Sequence, residues 1–304
     1  MPKLQGQAVI ITGASAGLGA ETARRLARGG ARVIITARRQ DRLDAMKNEI
    51  EAAGGHALAI AGDVTSVEDR GRLVEQSLKT YGRIDGLVNN AGFGQRGPLE
   101  VVPIEAIRKN FETNVFSLLA LTKLVMPVMR AQQSGTIVNI SSVAGRIARP
   151  FSSIYDSTKH ALEALSDGMR GEMAPFGIRV VIIEPGFIIT EFMEVASSLA
   201  GQLPGPDSPD SPYAPFLKEQ DGTMQRFRRF AGVPDDIARL VERALTAAKP
   251  KARYAGPAHA KIFLALKWLL SDRMVDRIVN RQLGLTAKRL HATPELQRQP
   301  AGRS

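Results

Sequence analysis

Tyr155 and Lys159 stand four residues apart in the stretch Tyr155-Asp156-Ser157-Thr158-Lys159, and Ser142 lies thirteen residues upstream of the tyrosine. On a helix, positions i and i+4 share a face one turn apart, so the Lys159 ammonium can sit below the Tyr155 phenol. A free tyrosine has a pKa of about 10, too high for proton exchange at neutral pH, and a nearby cation favours the phenolate. Lys159 is therefore expected to lower the Tyr155 pKa and make the phenol a general acid/base. Ser142 follows the apolar run 136–140, which reads as a buried strand, so its hydroxyl projects from a strand end, where ligands meet open parallel sheets. Together the three groups describe a proton-donating site suited to carbonyl and alcohol oxidoreduction. A tyrosine-lysine pair alone is common on solvated helix faces; its weight comes from the elements around it.

Those elements begin with Thr12-Gly13-Ala14-Ser15-Ala16-Gly17-Leu18-Gly19, which follows the strand-like run Ala8-Val9-Ile10-Ile11 and precedes a helical stretch. Gly13 permits a tight turn, Gly17 lets backbone approach a phosphate, and Gly19 packs the helix start against the strand, leaving the helix N-terminus to hold a pyrophosphate. Strand-like runs near 8–12, 32–37, 56–61, 86–89, 136–140, 179–183 and 252–256 alternate with amphipathic helical stretches. The alternation predicts an α/β fold, a doubly wound sheet of seven parallel strands covered on both faces.

Further residues join the glycine turn in order: Asn89-Asn90-Ala91-Gly92 after the fourth strand, Asn114 on the helix beyond it, Ser142, Tyr155 with Lys159, and Pro185-Gly186 with Thr190 after the sixth strand. In this conjunction the chain resembles the short-chain dehydrogenase/reductase family, a Rossmann fold, over roughly residues 4–255. The resemblance implies that Tyr155 gives a proton to the substrate carbonyl, or takes one from the alcohol, while Lys159 lowers its pKa and binds the nicotinamide ribose. It implies that Ser142 orients and polarises the carbonyl, and that Asn114 holds a water in a proton relay. It further implies cofactor contacts at Gly13, Ser15, Gly17, Leu18, Gly19, Arg38, Arg39, Asp63, Val64, Asn90, Ala91, Gly92, Tyr155, Lys159, Pro185, Gly186, Ile188 and Thr190. Hydride passes directly between nicotinamide and carbonyl carbon in this family, so no metal is expected. The chain has no cysteine, and His56, His160, His259 and His291 show no ligand spacing.

Cofactor choice is readable at the end of the second strand, where an acidic side chain would select NAD and arginine would accommodate a 2'-phosphate. Ala37 stands where the acid is expected, and Arg38 and Arg39 come next, which predicts NADP(H).

At 304 residues the chain reads as one catalytic domain, 1–256, with an extension. Residues 187–231 carry a Pro/Gly/Ser-rich stretch flanked by Phe187, Ile188, Phe192, Met193, Phe216 and Leu217. In the family this region closes over the substrate, and its composition suggests an apolar ketone, aldehyde or secondary alcohol. Residues 257–290 are expected to form an amphipathic helical extension similar to that of steroid and retinol dehydrogenase-like members, and 291–304 a disordered tail. From residue 251 onward there are eleven Lys or Arg against three Asp or Glu, so most of the formal net charge of +11 lies there. The apolar face formed by Ile262, Leu266, Leu269 and Leu270 is expected to pack on the domain or on a second subunit of a dimer or tetramer. Peripheral contact with an anionic membrane is the alternative that the same residues allow.

No transmembrane span is expected in this tail, because Lys267 interrupts its longest apolar run, and no secretory signal, because the first apolar stretch is already a strand. Nucleic-acid binding lacks any aromatic platform or recognition motif. The composition is compatible with a cytoplasmic protein. Two other readings compete with an oxidoreductase of apolar carbonyls. One is a 3-oxoacyl carrier-protein reductase, whose acidic carrier would suit the basic surface but in which so long a tail is atypical. The other is a nucleotide-sensing protein without chemistry, against which the intact set Ser142, Tyr155, Lys159 and Asn114 argues.

Overall fold

The central strands are built mostly from β-branched and small apolar residues that are buried on both faces, as a parallel sheet covered by helices requires. The structure, a computed structural model, describes residues 4–201, 203, 213, 230–283 and 285. Its strands are β1 (Ala8–Thr12), β2 (Arg32–Ala37), β3 (His56–Ala61), β4 (Gly86–Asn89), β5 (Gly135–Ile140), β6 (Ile178–Pro185) and β7 (Arg253–Gly256). They pair in parallel in the order β3-β2-β1-β4-β5-β6-β7. All seven expected strands are found, and the sheet is the predicted doubly wound one.

Helices α1 (Gly17–Arg28), α2 (Gln40–Ala52), α3 (Val67–Tyr81), α4 (Ile104–Phe111), α5 (Ser117–Gln132), α6 (Ser153–Met173), α7 (Glu191–Gly201), α8 (Pro234–Thr246), α9 (Ala258–Leu269) and α10 (Asp272–Gln282) succeed one another in chain order. The two-residue period of the strands divides the core. Val9, Ile11, Val33 and Ile35 face α1, α2 and α8 through Leu26, Leu43, Met46, Ile237 and Val241. Ile10, Ile34, Leu87 and Ile137 face α3 and α5 through Leu73, Leu121, Val125 and Met129. Residues 104–132 are long and apolar enough to cross a membrane by composition alone, but Leu121, Val125 and Met129 of this helical run are spent on the sheet.

Two features of the fold position the polar residues singled out in the sequence. The strand order reverses between β1 and β4, so the connections from their C-terminal ends leave in opposite directions and open a crevice. A π-helical turn, Glu112–Phe116, joins α4 to α5 and carries Asn114; such turns widen the helix by one residue and recur at functional sites.

Ala260 is fully buried and the first turn of α9 is anchored, yet Ile262, Leu266 and Leu269 are exposed rather than turned onto the domain. Phe216, Leu217, most of the Pro/Gly/Ser-rich stretch and the tail 291–304 lie outside the described residues.

Candidate functional site

The crevice is floored by the glycine turn. Gly13 and Gly17 have φ of +65° and +57°, in the left-handed region that other residues rarely adopt. A Cβ at Gly19 would lie 2.4 Å from the Gly13 carbonyl oxygen and 2.6 Å from Asn90 Nδ2, so only glycine lets α1 begin so close to β1. Thr12 is a site residue that the sequence did not single out, although it opens the glycine motif. Its Oγ1 accepts from the backbone N–H groups of Asn90 (3.0 Å) and Ala91 (2.9 Å), while Asn90 Nδ2 donates to Thr12 O at 2.8 Å, clamping the β1 turn to the β4 loop. No side chain caps α1 and no acidic residue occupies its first turn, so its N-terminal amides suit an anion.

At the end of β2, Ala37 is buried and Arg38 and Arg39 are exposed. Arg39 donates to Ser15 Oγ at 3.1 Å and pairs with Glu191 at 3.4 Å, and Arg42 pairs with the same carboxylate at 2.8 Å. Asp63, after β3, accepts from the Thr65 amide and hydroxyl at 2.9 and 2.7 Å. Burial raises its pKa, but those bonds and the charges of Arg38 and Lys109 outweigh it and hold the carboxyl below its usual range.

Ser142, two residues past β5, takes an N–H from Ala144 at 3.1 Å and donates to Pro185 O at 3.3 Å. Tyr155 lies on the first turns of α6 and borders the same groove as Ser142, which favours its phenolate. Its ring rests 5.5 Å, centroid to centroid, from Phe192 on α7. Lys159 is buried; its Nζ donates to Ile140 O at 2.8 Å and stands 5.7 Å from the Tyr155 ring centroid. Asp156, beside the tyrosine in the chain, is wholly buried and holds Arg149 through two side-chain bonds of 2.6 and 3.1 Å. Asn114 accepts from the Phe93 N–H at 3.0 Å and donates to Phe93 O at 2.9 Å and Thr158 Oγ1 at 3.1 Å. His160 faces off the site, bonded to the Asp156 carbonyl.

The protonation states differ from the expected arrangement. Burial pushes the phenol up to about 12, and the opposing effects of Arg149, Ser142 and Arg96 do not recover it. Burial likewise pushes the Lys159 ammonium down to about 8 against the pull of Glu163. The cation sits over the tyrosine ring and is bonded to a backbone carbonyl, so in the free protein desolvation decides the phenol and the lysine does not.

These groups line one groove of about 800 Å³. Of the cofactor positions read from the sequence, Gly13, Ser15, Gly17, Leu18, Arg38, Arg39, Asp63, Val64, Asn90, Ala91, Gly92, Tyr155, Lys159, Pro185, Gly186, Ile188 and Thr190 all border it, as does Ser142. Gly19 lies beneath the turn. Asn114 stands behind Gly92, where a Cβ would come 2.9 Å from Asn114 Oδ1. Phe187, Phe192, Met193 and Leu199 give the groove an apolar wall. Its other end offers glycines, amides and arginines, so the residues fit a dinucleotide lying from Arg38 to Lys159.

Residues 7–199 match the family model described as short chain dehydrogenase. The chain belongs to the short-chain dehydrogenase/reductase family of nicotinamide-dependent oxidoreductases. It is 32% identical over 281 residues to the NADPH-dependent 3-dehydrocapnine reductase of Ornithobacterium rhinotracheale, covering 90% of this chain and 96% of the relative. A short-chain dehydrogenase from Streptomyces avermitilis superposes with a TM-score of 0.73 at 35% identity, over 90% of this chain and 97% of that one. A 7α-hydroxysteroid dehydrogenase, solved with NADH and 7-oxo glycochenodeoxycholic acid, gives 0.71 at 31% identity, over 83% and 93% of the two chains.

The close approach at Gly19 yields a direct test. In Gly19→Ala the new methyl must push the turn open, and overpacking of this kind costs about 1–3 kcal/mol. The expected result is a lowered thermal midpoint together with a weaker dinucleotide affinity in a fluorescence titration, because the opened turn no longer presents its amides as they stand here.

Proposed function

We propose that the protein is an NADP-dependent oxidoreductase that reduces an apolar ketone or aldehyde, or oxidises the corresponding secondary alcohol, with Tyr155 as general acid/base. The observation that carries this reading is the Tyr155 phenol, set in one groove with Ser142 and placed between the apolar wall at Phe192 and the buried Lys159 ammonium. When bound, the nicotinamide supplies or accepts the hydride. The turn at Gly13, Ser15, Gly17, Leu18 and Gly19 would hold the pyrophosphate, Asp63 and Val64 the adenine, Arg38 and Arg39 the 2'-phosphate, and Asn90, Ala91, Gly92, Lys159, Pro185, Gly186, Ile188 and Thr190 the nicotinamide half.

Ser142 steers the substrate oxygen toward the phenol. Tyr155, protonated at neutral pH because burial disfavours the phenolate, gives its proton to that oxygen as negative charge develops there. The Lys159 ammonium, 5.7 Å from the ring centroid, supplies positive charge on the side of the phenolate left behind. Asn114, with its amide bonded to the Phe93 backbone and Thr158, fixes the loop behind the lysine and carries the route by which the proton is restored. Residues 187–201 are the longest described part of the region that we assign to closure over substrate. Assay of a carbonyl panel with NADPH and with NADH, and of the matching alcohols in reverse, tests the whole reading; no turnover with any carbonyl would overturn it.

Tyr155→Phe removes the proton donor and keeps the ring packed on Phe192. It should lower kcat by about 10²- to 10⁴-fold, the usual range for general acid/base catalysis, with dinucleotide binding retained in a titration.

Because burial sets the Lys159 pKa near 8, its charge is present below that pH and lost above it. Reduction measured as kcat/KM across the pH range should hold level below about pH 8 and decline above it, approaching tenfold per pH unit for loss of one proton. Lys159→Arg, whose guanidinium does not titrate, should remove that alkaline limb even if its level is lower.

Cofactor preference should move with the β2 end. The double variant Ala37→Asp with Arg38→Ala places a carboxylate against the 2'-phosphate and an acceptor for a 2'-hydroxyl, so the ratio of kcat/KM for NADPH over NADH should fall. Steady-state kinetics with both dinucleotides measure it.

A further inference from the structure

The C-terminal helices expose what a soluble domain ordinarily buries. On α9, Ile262, Ala265, Leu266 and Leu269 fall on one stripe by helical spacing and all are exposed, with Ile262 at 58% and Leu269 at 68%. Trp268 beside them is 85% exposed. On α10, Met274 and Ile278 are exposed one turn apart, and Arg273, Arg277 and Arg281 run along the adjoining stripe at successive turns. Asp276 falls on the remaining arc, and Asp272 is already paired with Lys267. An apolar stripe bordered by unbroken arginine, with a tryptophan at the margin, has the composition of a helix lying in a lipid interface, where the aromatic ring occupies the headgroup level and the cations meet anionic lipid.

We propose that α9 and α10 form a membrane-docking surface that seats the protein on an anionic lipid bilayer. Charge decides between this occupant and a second copy of the chain. A twofold contact would bring the same patch together twice, setting one arginine stripe near another around a shared apolar centre, whereas interface cores are depleted of charge. An anionic leaflet neutralises the stripe and receives the apolar residues together. The surface is also coupled to the groove. His259 in the first turn of α9 accepts the Phe187 N–H at 2.9 Å, and burial lowers its pKa, which keeps the ring in the neutral, accepting form. Docking would therefore hold the apolar wall of the groove at a fixed place relative to the bilayer.

The test uses the full chain, whose single tryptophan is Trp268, so its emission reports on this surface alone. With vesicles of equimolar phosphatidylcholine and phosphatidylglycerol at low ionic strength, the emission should shift to the blue and be quenched by brominated acyl chains. Both effects should weaken at about 0.15 M salt and be lost with phosphatidylcholine alone. Ile262→Glu with Leu269→Glu, at positions whose exposure leaves the fold intact, should abolish quenching with the thermal midpoint unchanged. Arg277→Gln and Arg281→Gln should each weaken vesicle partitioning about fivefold. Emission indifferent to anionic vesicles at low salt, or quenching that survives the double glutamate variant, would overturn the proposal. So would a dimer in sedimentation that the same glutamate substitutions dissolve, since the face would then belong to a second copy.

Discussion

Burying the Lys159 ammonium is the constraint on which the rest of the site depends. A cation taken out of water must be given oxygen atoms or lose its proton. Here the end of β5 supplies one, the Ile140 carbonyl, so α6 has to cross the sheet where that carbonyl emerges. The crossing in turn sets Tyr155 one turn above, next to Ser142 on the same strand end. Glu163, one turn below, pulls the ammonium pKa upward against burial, and the ion pair of buried Asp156 with half-buried Arg149 ties the first turns of α6 to the loop after β5. The geometry of the three chemical groups is a consequence of where one charge can be tolerated.

Much of this was legible in the sequence. The strands could be placed because each is a short apolar run with helical periodicity between, and Gly13, Gly17 and Gly19 could be read because backbone conformation and close approach leave glycine no substitute. What escaped was long-range. Thr12 looks like the last residue of a strand, and its role as a clamp on Asn90 and Ala91 depends on β4 lying beside β1, a pairing across 78 residues in sequence. Arg149 and Asp156 carry no motif; only the turn of chain between them makes them a pair.

The Tyr155 pKa marks a different limit. Spacing places the lysine on the correct face, but the sign of a pKa shift depends on depth, and depth is a property of the whole fold. At the bottom of the groove the loss of water outweighs a cation whose hydrogen bond is directed elsewhere. The free protein consequently holds its phenol as the acid form, ready for a carbonyl oxygen that has begun to gather charge.

The wide turn at Glu112–Phe116 has a consequence for chain length. An α-helix advances about 100° per residue, so a turn holding one extra residue resets the angular phase of everything beyond it. Before the turn, Asn110 bonds the Phe93 carbonyl; within it, Asn114 bonds the same backbone; after it, Leu121, Val125 and Met129 address the sheet. Wound as a regular helix, the same number of residues would swing one side of this turn about a quarter of a revolution away from its partners. In this segment the number of residues is therefore as much a part of the site as their identity.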